Sequence, residues 1–146
     1  MEWSRADGYT VSDDQQRLDL ERINHWLSTE AYWATGRSSE LIDRSIRRST
    51  TLACFTPEGA QVGLARWVTD GATFAWMCDV FVDREFRGRG LGEFMVRSAL
   101  AHPEVQDVHL FLLATRDAHD LYRRFGFTNV SEPKRWMVLE SSTLRD

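Results

Sequence analysis

Phe74-Ala75-Trp76-Met77-Cys78-Asp79-Val80-Phe81-Val82 leads through Asp83-Arg84-Glu85-Phe86 into Arg87-Gly88-Arg89-Gly90-Leu91-Gly92. An amphipathic run, Leu91 to Leu100, follows at once. The first block is aromatic and β-branched, which predicts a strand. The last has apolar residues at helical spacing. Between them three glycines alternate with larger residues, where a strand ends and a helix begins. Glycine allows φ > 0 and close approach of a ligand to the backbone. A helix starting there directs unpaired N–H groups and a positive dipole end at the same spot. The combination predicts an anion site, with phosphate the best-fitting anion.

Composition sets the frame for that site. The chain has 146 residues, 42% apolar and 27% charged, which is the profile of one globular domain over 1–146. Its net charge of −4 argues against a nucleic-acid partner. Around the glycines, however, Arg84, Arg87, Arg89 and Arg97 outnumber Glu85 and Glu93, a basic spot on an acidic protein. Cys54 and Cys78 lie in apolar surroundings without metal-ligand spacing, so they read as buried free thiols in a reducing compartment, with no metal expected. The first ten residues lack an apolar signal core, and no apolar run approaches a membrane span. The expectation is a cytoplasmic protein without a membrane partner, either monomer or homodimer.

Working outward, Gly8 to Ser12 predicts a short strand. Ser12-Asp13-Asp14 offers caps for a helix through about Leu27, and Ser28 to Gly36 reads as a loop. Ser38 or Ser39 can cap a second helix to about Arg48, with Leu41, Ile42, Ser45 and Ile46 inward. Strands are expected over Thr51 to Thr56, Gln61 to Val68 and Thr73 to Val82, with Asp70-Gly71 marking a tight hairpin. The glycine-led helix ends at His102-Pro103. A buried-looking strand, Asp107 to Ala114, a short helix, Ala118 to Phe125, a strand, Phe127 to Val130, and an edge strand, Arg135 to Leu139, complete the order. The hairpins and the helical crossover predict an α/β fold with a mixed, mostly antiparallel twisted sheet and helices on both faces.

The loop is not a Walker motif, because no Gly-Lys-Ser/Thr follows, and position 93 is Glu where a dinucleotide fingerprint has Gly. It resembles the central motif of the Gcn5-related N-acetyltransferase (GNAT) superfamily, whose Arg/Gln-x-x-Gly-x-Gly/Ala core is matched by Arg87, Gly90 and Gly92. A second match is Ala118-His119-Asp120-Leu121-Tyr122-Arg123-Arg124-Phe125-Gly126-Phe127, similar to that family's Ala-x-x-Leu-Tyr-x-x-x-Gly-Phe signature. The resemblance spans Phe74 to Val130 and implies a GNAT-like acyltransferase using acetyl-CoA. It implies that Val80, Phe81 and Val82 pair their backbone with the pantetheine arm, and that the amides of Gly88, Arg89, Gly90, Leu91, Gly92 and Glu93 hold the pyrophosphate. Arg87 and Arg89 would add charge-assisted bonds to the phosphates.

The resemblance also implies that Tyr122 lies near the sulfur as general acid, the bland alternative being a core tyrosine. Cys78 stands where many relatives have glutamate, which leaves the base open. Asp79 could take the ammonium proton, orient the amine, or form a structural ion pair. Alternation puts it on the face opposite Cys78, Val80 and Val82. Arg84 replaces a common proline before the loop. Thr115 stands where many relatives have Asn, and either bonds the pantetheine or caps the next helix. In this family the first two helices and their loop build the acceptor pocket, which selects Tyr32 and Trp33 as substrate-binding candidates, with Asp70 or Asp79 as a partner for a cationic amine. The expected acceptor is a small primary amine. A protein N-terminus or lysine is the alternative, and a non-catalytic CoA-binding module is the rival from another class.

Overall fold

The computed structural model describes residues 1–140 and divides into two compact units, 1–114 and 115 onward. The first contains strands β1 (Glu2–Ser4), β2 (Thr10–Ser12), β3 (Thr50–Phe55), β4 (Gln61–Thr69), β5 (Phe74–Val82) and β6 (Leu110–Leu113). They form one sheet in sequential order, antiparallel from β1 to β5 and parallel between β5 and β6. Helices α1 (Leu20–His25) and α2 (Ser39–Arg47) precede β3, and α3 (Leu91–Ala101) is the crossover from β5 to β6. This is the mixed, mostly antiparallel architecture expected from the chain order.

The sheet buries both faces. On one, Leu52, Ala65, Trp67, Ala75 and Met77 pack with Leu91, Phe94, Met95 and Ala99 of α3. On the other, Leu64 and Phe81 pack with Ile23, Trp26, Leu27, Ile42 and Ile46. Gly63 lies where the first layer is thinnest: a Cβ there would meet Met95 Cε at 2.9 Å and the Phe81 carbonyl at 3.1 Å. Helix α2 shows why tertiary packing matters. Nine residues are too few for a stable isolated helix, but Ile42 and Ile46 are wholly buried and contribute about 1.5–3 kcal/mol each. Ser38 accepts the Leu41 amide as its N-cap. Leu41, expected inward, is exposed instead, because it is turned about 100° from the Ile42–Ile46 line.

Local capping also alters the first helix. The expected continuous helix breaks in two, because Asp14 caps a single 3-10 turn, Gln15–Arg17, and Asp19 restarts the chain by accepting the Arg22 amide at 3.0 Å. Short acidic side chains offer the backbone this alternative to a continuous helix. The helix then widens into a π-turn, Trp26–Glu30, closed by the Ala31 amide on the Trp26 carbonyl at 2.8 Å. The expected loop at Ser28 therefore begins inside helical structure. At the N-terminus, β1 is a strand that the residue pattern does not predict, and β2 is shorter than Gly8 to Ser12. Gly8, at φ +91°, makes the hairpin turn between them.

The second unit contains helix α4 (His119–Arg123) and a 3-10 turn, Pro133–Arg135. The strands expected over Phe127 to Val130 and Arg135 to Leu139 do not form: among the described residues neither segment enters a ladder. Their β-propensity is real, but a strand exists only with a partner to bond. No helix among the described residues is long and apolar enough to cross a membrane, and no group of three or more metal-ligating His, Cys, Asp and Glu side chains is found there.

Candidate active site

Strand β6 accompanies β5 only from Phe74–Leu110 to Met77–Leu113. Strand β5 continues to Val82, so Asp79 to Val82 have a partner in β4 but none in β6, and Cys78 has a partner in neither. Amide and carbonyl groups along that edge are available to an extended ligand, as in strand addition. At the point of divergence β5 carries a bulge. Trp67 opposes Met77 and Arg66 opposes Asp79, so Cys78 is the extra residue. A bulge bends its strand, increases its twist and re-aims side chains.

The bulge corrects the expected alternation. Met77, Val80 and Val82 pack on the α3 side, whereas Phe81 packs on the α1–α2 side with Asp79 in step with it. Asp79 is thus opposite Val80 and Val82, as expected, while Cys78, the extra residue, falls outside the alternation. Burial pushes the Cys78 thiol up, helped by the Asp79 charge and opposed by Arg66 and Arg37. Burial pushes the Cys54 thiol up to about 12. Both cysteines are free, and neither environment favours a reactive thiolate.

Past Val82, Asp83 caps a 3-10 turn, Arg84–Phe86, and the chain reaches the glycines. Gly88 and Gly90 have φ of +78° and +74°, and Gly90 is the N-cap of α3. The first bond of α3 runs from the Phe94 amide to the Gly90 carbonyl at 3.0 Å, so the backbone just before it faces outward without a helical acceptor. Glu93 reaches Arg97 at 2.8 Å. Arg87 Nε donates to the Val82 carbonyl at 3.0 Å, its guanidinium 5.3 Å from the Phe81 ring centre. Arg89 Nη1 donates to the Tyr9 hydroxyl at 3.0 Å. Sequence reasoning missed the brace on this loop. Arg5, in the β1–β2 turn, donates to the Arg89 carbonyl at 2.9 Å and is ion-paired with Asp7.

Asp79 is completely buried. Its Oδ2 accepts Arg66 Nε at 2.7 Å and faces Arg37 Nη1 at 3.5 Å, while Oδ1 accepts Trp33 Nε1 at 2.6 Å. Arg66 also donates to the Ser49 hydroxyl at 2.9 Å. Of the roles open to Asp79, the ion pair is present in the structure, and both oxygens are occupied. Arg37 and Arg66 are site residues that sequence reasoning overlooked. Only the unpaired cost of a buried carboxylate could have prompted a search for them.

The loop after the π-turn brings the aromatic candidates to this place. Tyr32 packs edge-on against Trp33 at 5.1 Å, and Trp33 lies 6.4 Å from Phe81. Both Tyr32 and Trp33 remain partly exposed, as does Trp76, whereas Trp26 and Trp67 are core. Asp70 is used otherwise. The Thr73 hydroxyl, then the amides of Thr73, Ala72 and Phe74, hold its carboxyl well below the usual carboxylate range. In the second unit Tyr122 is buried and packs edge-on against Phe127 at 5.7 Å. The Thr115 hydroxyl accepts the Ala118 amide at 3.0 Å, which closes the turn leading into α4; Ala118 itself is the N-cap, and no side chain caps the helix.

The family model for the acetyltransferase (GNAT) domain matches residues 48–129. The chain belongs to the GNAT acetyltransferase family. A Gibberella zeae protein, provisionally named an acetyltransferase, is 34% identical over 89% of this chain and 84% of its own length. A GNAT-family crystal structure from Xanthomonas campestris, also provisionally named an acetyltransferase, is 40% identical and superposes with a TM-score of 0.88 over 93% of this chain and 95% of that one. A structure from Deinococcus radiodurans, 20% identical over 96% of this chain and 93% of its own, shares the GNAT fold at a TM-score of 0.72. The divergent edge of β5 and the glycine-led N-terminus of α3 fit the two parts of an acyl-CoA, an amide-bearing arm and a pyrophosphate.

Proposed function

We propose that this GNAT protein moves the acetyl group of acetyl-CoA to the primary amine of a small molecule, by direct attack in a ternary complex. The observation that carries the reading is the free edge of β5 from Cys78 to Val82, which runs into the positive-φ glycines at the start of α3. Acetyl-CoA supplies the activated acyl group as a thioester. Val80, Phe81 and Val82 offer backbone groups to its pantetheine, and Gly88 to Glu93 offer amides to its pyrophosphate. Arg87 and Arg89 add charge near the phosphates.

Tyr122, by the Leu-Tyr motif it shares with the family, stabilises the departing sulfur. Reference pKa values near 10 for tyrosine and 8.5 for a thiol make complete proton transfer uphill by ~2 kcal/mol. A hydrogen bond that strengthens as charge develops on sulfur therefore does most of the work. Asp79 serves the acceptor side indirectly. Its oxygens hold Trp33 and Arg37 in place, and with Tyr32 these form the wall against which the amine is oriented.

Replacing Gly90 by alanine tests the coenzyme assignment. A non-glycine residue in this left-handed conformation costs about 1–2 kcal/mol, and its Cβ would lie 3.5 Å from Arg5 Nη1. Acetyl-CoA affinity, measured by calorimetry, is expected to fall. Gly59→Ala, also at positive φ but with open space around it, is expected to cost similar stability and leave affinity unchanged. Equal affinity in both variants removes the loop from the coenzyme site.

Activity is tested by thiol release from acetyl-CoA across small amines, peptides with free N-termini and lysine-containing peptides. Turnover with small amines is the expected result. Turnover confined to peptides makes the protein a peptide acetyltransferase. Binding of acetyl-CoA without turnover on any acceptor makes it a CoA-binding module.

A further inference from the structure

We infer that Arg37 recognises an anionic group, carboxylate or phosphate, on the amine acceptor. This inference rests on the acetyltransferase reading above and names the class of acceptor that the site takes.

The charges around the bulge do not cancel. Asp79 carries one negative charge and faces two guanidinium groups. Arg66 is the partner that neutralises it: the bond is 2.7 Å, the arginine side chain is 10% exposed, and a second bond ties it to Ser49. Arg37 makes the looser contact, 3.5 Å to the same oxygen, and its side chain is 26% exposed. Among the described residues its Nε and Nη2 have no acceptor. The cluster therefore holds a surplus positive charge, presented on a partly exposed fork that shares the Asp79 carboxylate with the Trp33 indole.

A guanidinium fork suits a carboxylate or phosphate, which it can bind through two parallel N–H bonds. On a partly buried side chain such a bond is less screened than in bulk water. The two carboxylates expected to meet a cationic amine, Asp79 and Asp70, are both engaged. Asp79 is sealed beneath Trp33 and the arginines, and the Asp70 carboxylate is taken up by its own turn.

The test uses two pairs of amines that differ only in the anion: L-phenylalanine against L-phenylalaninamide, and O-phosphoethanolamine against ethanolamine. The pairs separate the carboxylate source from the phosphate source. In at least one pair the anionic member is expected to show a kcat/KM about 10- to 100-fold above its neutral counterpart. Arg37→Gln is expected to abolish that preference, bringing kcat/KM of the anionic member down about 10- to 100-fold to the level of its neutral counterpart measured in the same variant. Arg37→Lys, which keeps the charge and loses the fork, should restore only part of it. Thermal stabilisation by the same four amines in the presence of CoA reads the site without turnover. Stabilisation by an anionic member that vanishes in Arg37→Gln, with no turnover on any amine, overturns the transferase reading and supports this one. Equal response to both members of both pairs overturns the inference, as does a preference that survives in Arg37→Gln.

Discussion

Asp79→Ala is expected to lower stability by about 3–5 kcal/mol, because it strands the buried Arg66 guanidinium without its counter-charge. The carboxylate it removes is wholly buried and accepts from Arg66 at 2.7 Å and Trp33 at 2.6 Å. For a chain of this size the loss corresponds to a fall in melting temperature of roughly 6–20 °C. Urea denaturation checks the free energy directly. A loss below about 1 kcal/mol would mean that solvent reaches Arg66 easily and that the network is not what orders this end of β5. The double replacement Asp79→Leu with Arg66→Met should recover most of the stability, since a buried ion pair can often be exchanged for apolar packing at little cost. It should not recover turnover. Trp33 and Arg37 then lose the oxygen atoms that hold them, and the acceptor loses its wall.

Tyr122→Phe is expected to reduce kcat by about 10²- to 10⁴-fold, the range that a positioned proton donor supplies, while acetyl-CoA affinity stays unchanged. Phenylalanine keeps the edge-on packing against Phe127, so the change isolates the hydroxyl. Steady-state kinetics with calorimetry for the coenzyme separates the two quantities. A kcat within about threefold of wild type would end the assignment and leave Tyr122 as a core residue whose hydroxyl serves the fold.

How far the chain could be read depends on the range of the forces involved. Helix α3 was expected from Leu91 to Ala101 and is found there, because its start is set by Gly90, its end by His102-Pro103 and its face by apolar spacing. Strands β3 to β5 were placed to within a residue or two, since each is bounded by local turn chemistry. Failures came where two local signals competed. The Ser12-Asp13-Asp14 cluster was read as one helix start, but Asp14 and Asp19 each cap their own segment. The last two strands were read from β-propensity alone, and no partner strand answers them among the described residues.

The site divides in the same way. Gly88 and Gly90 announced the phosphate loop because a positive φ is a property of one residue and its neighbours. The bulge at Cys78 was invisible, because it exists only in the register between β4 and β5. It takes Cys78 out of the alternation that would set it opposite Asp79. The partners of Asp79 stand 13, 42 and 46 residues away, at Arg66, Arg37 and Trp33. Such pairs are created by packing the helical loop onto the sheet, and nothing in local spacing encodes them. The sequence by itself therefore determined the glycine-led helix, the strands β3 to β5 and the family motifs, all of which are written in short-range geometry. Only the tertiary structure decided that β5 parts from β6 at Met77, and that Asp79 is spent on two arginines and a tryptophan, because strand register and buried charge pairing are settled between distant segments.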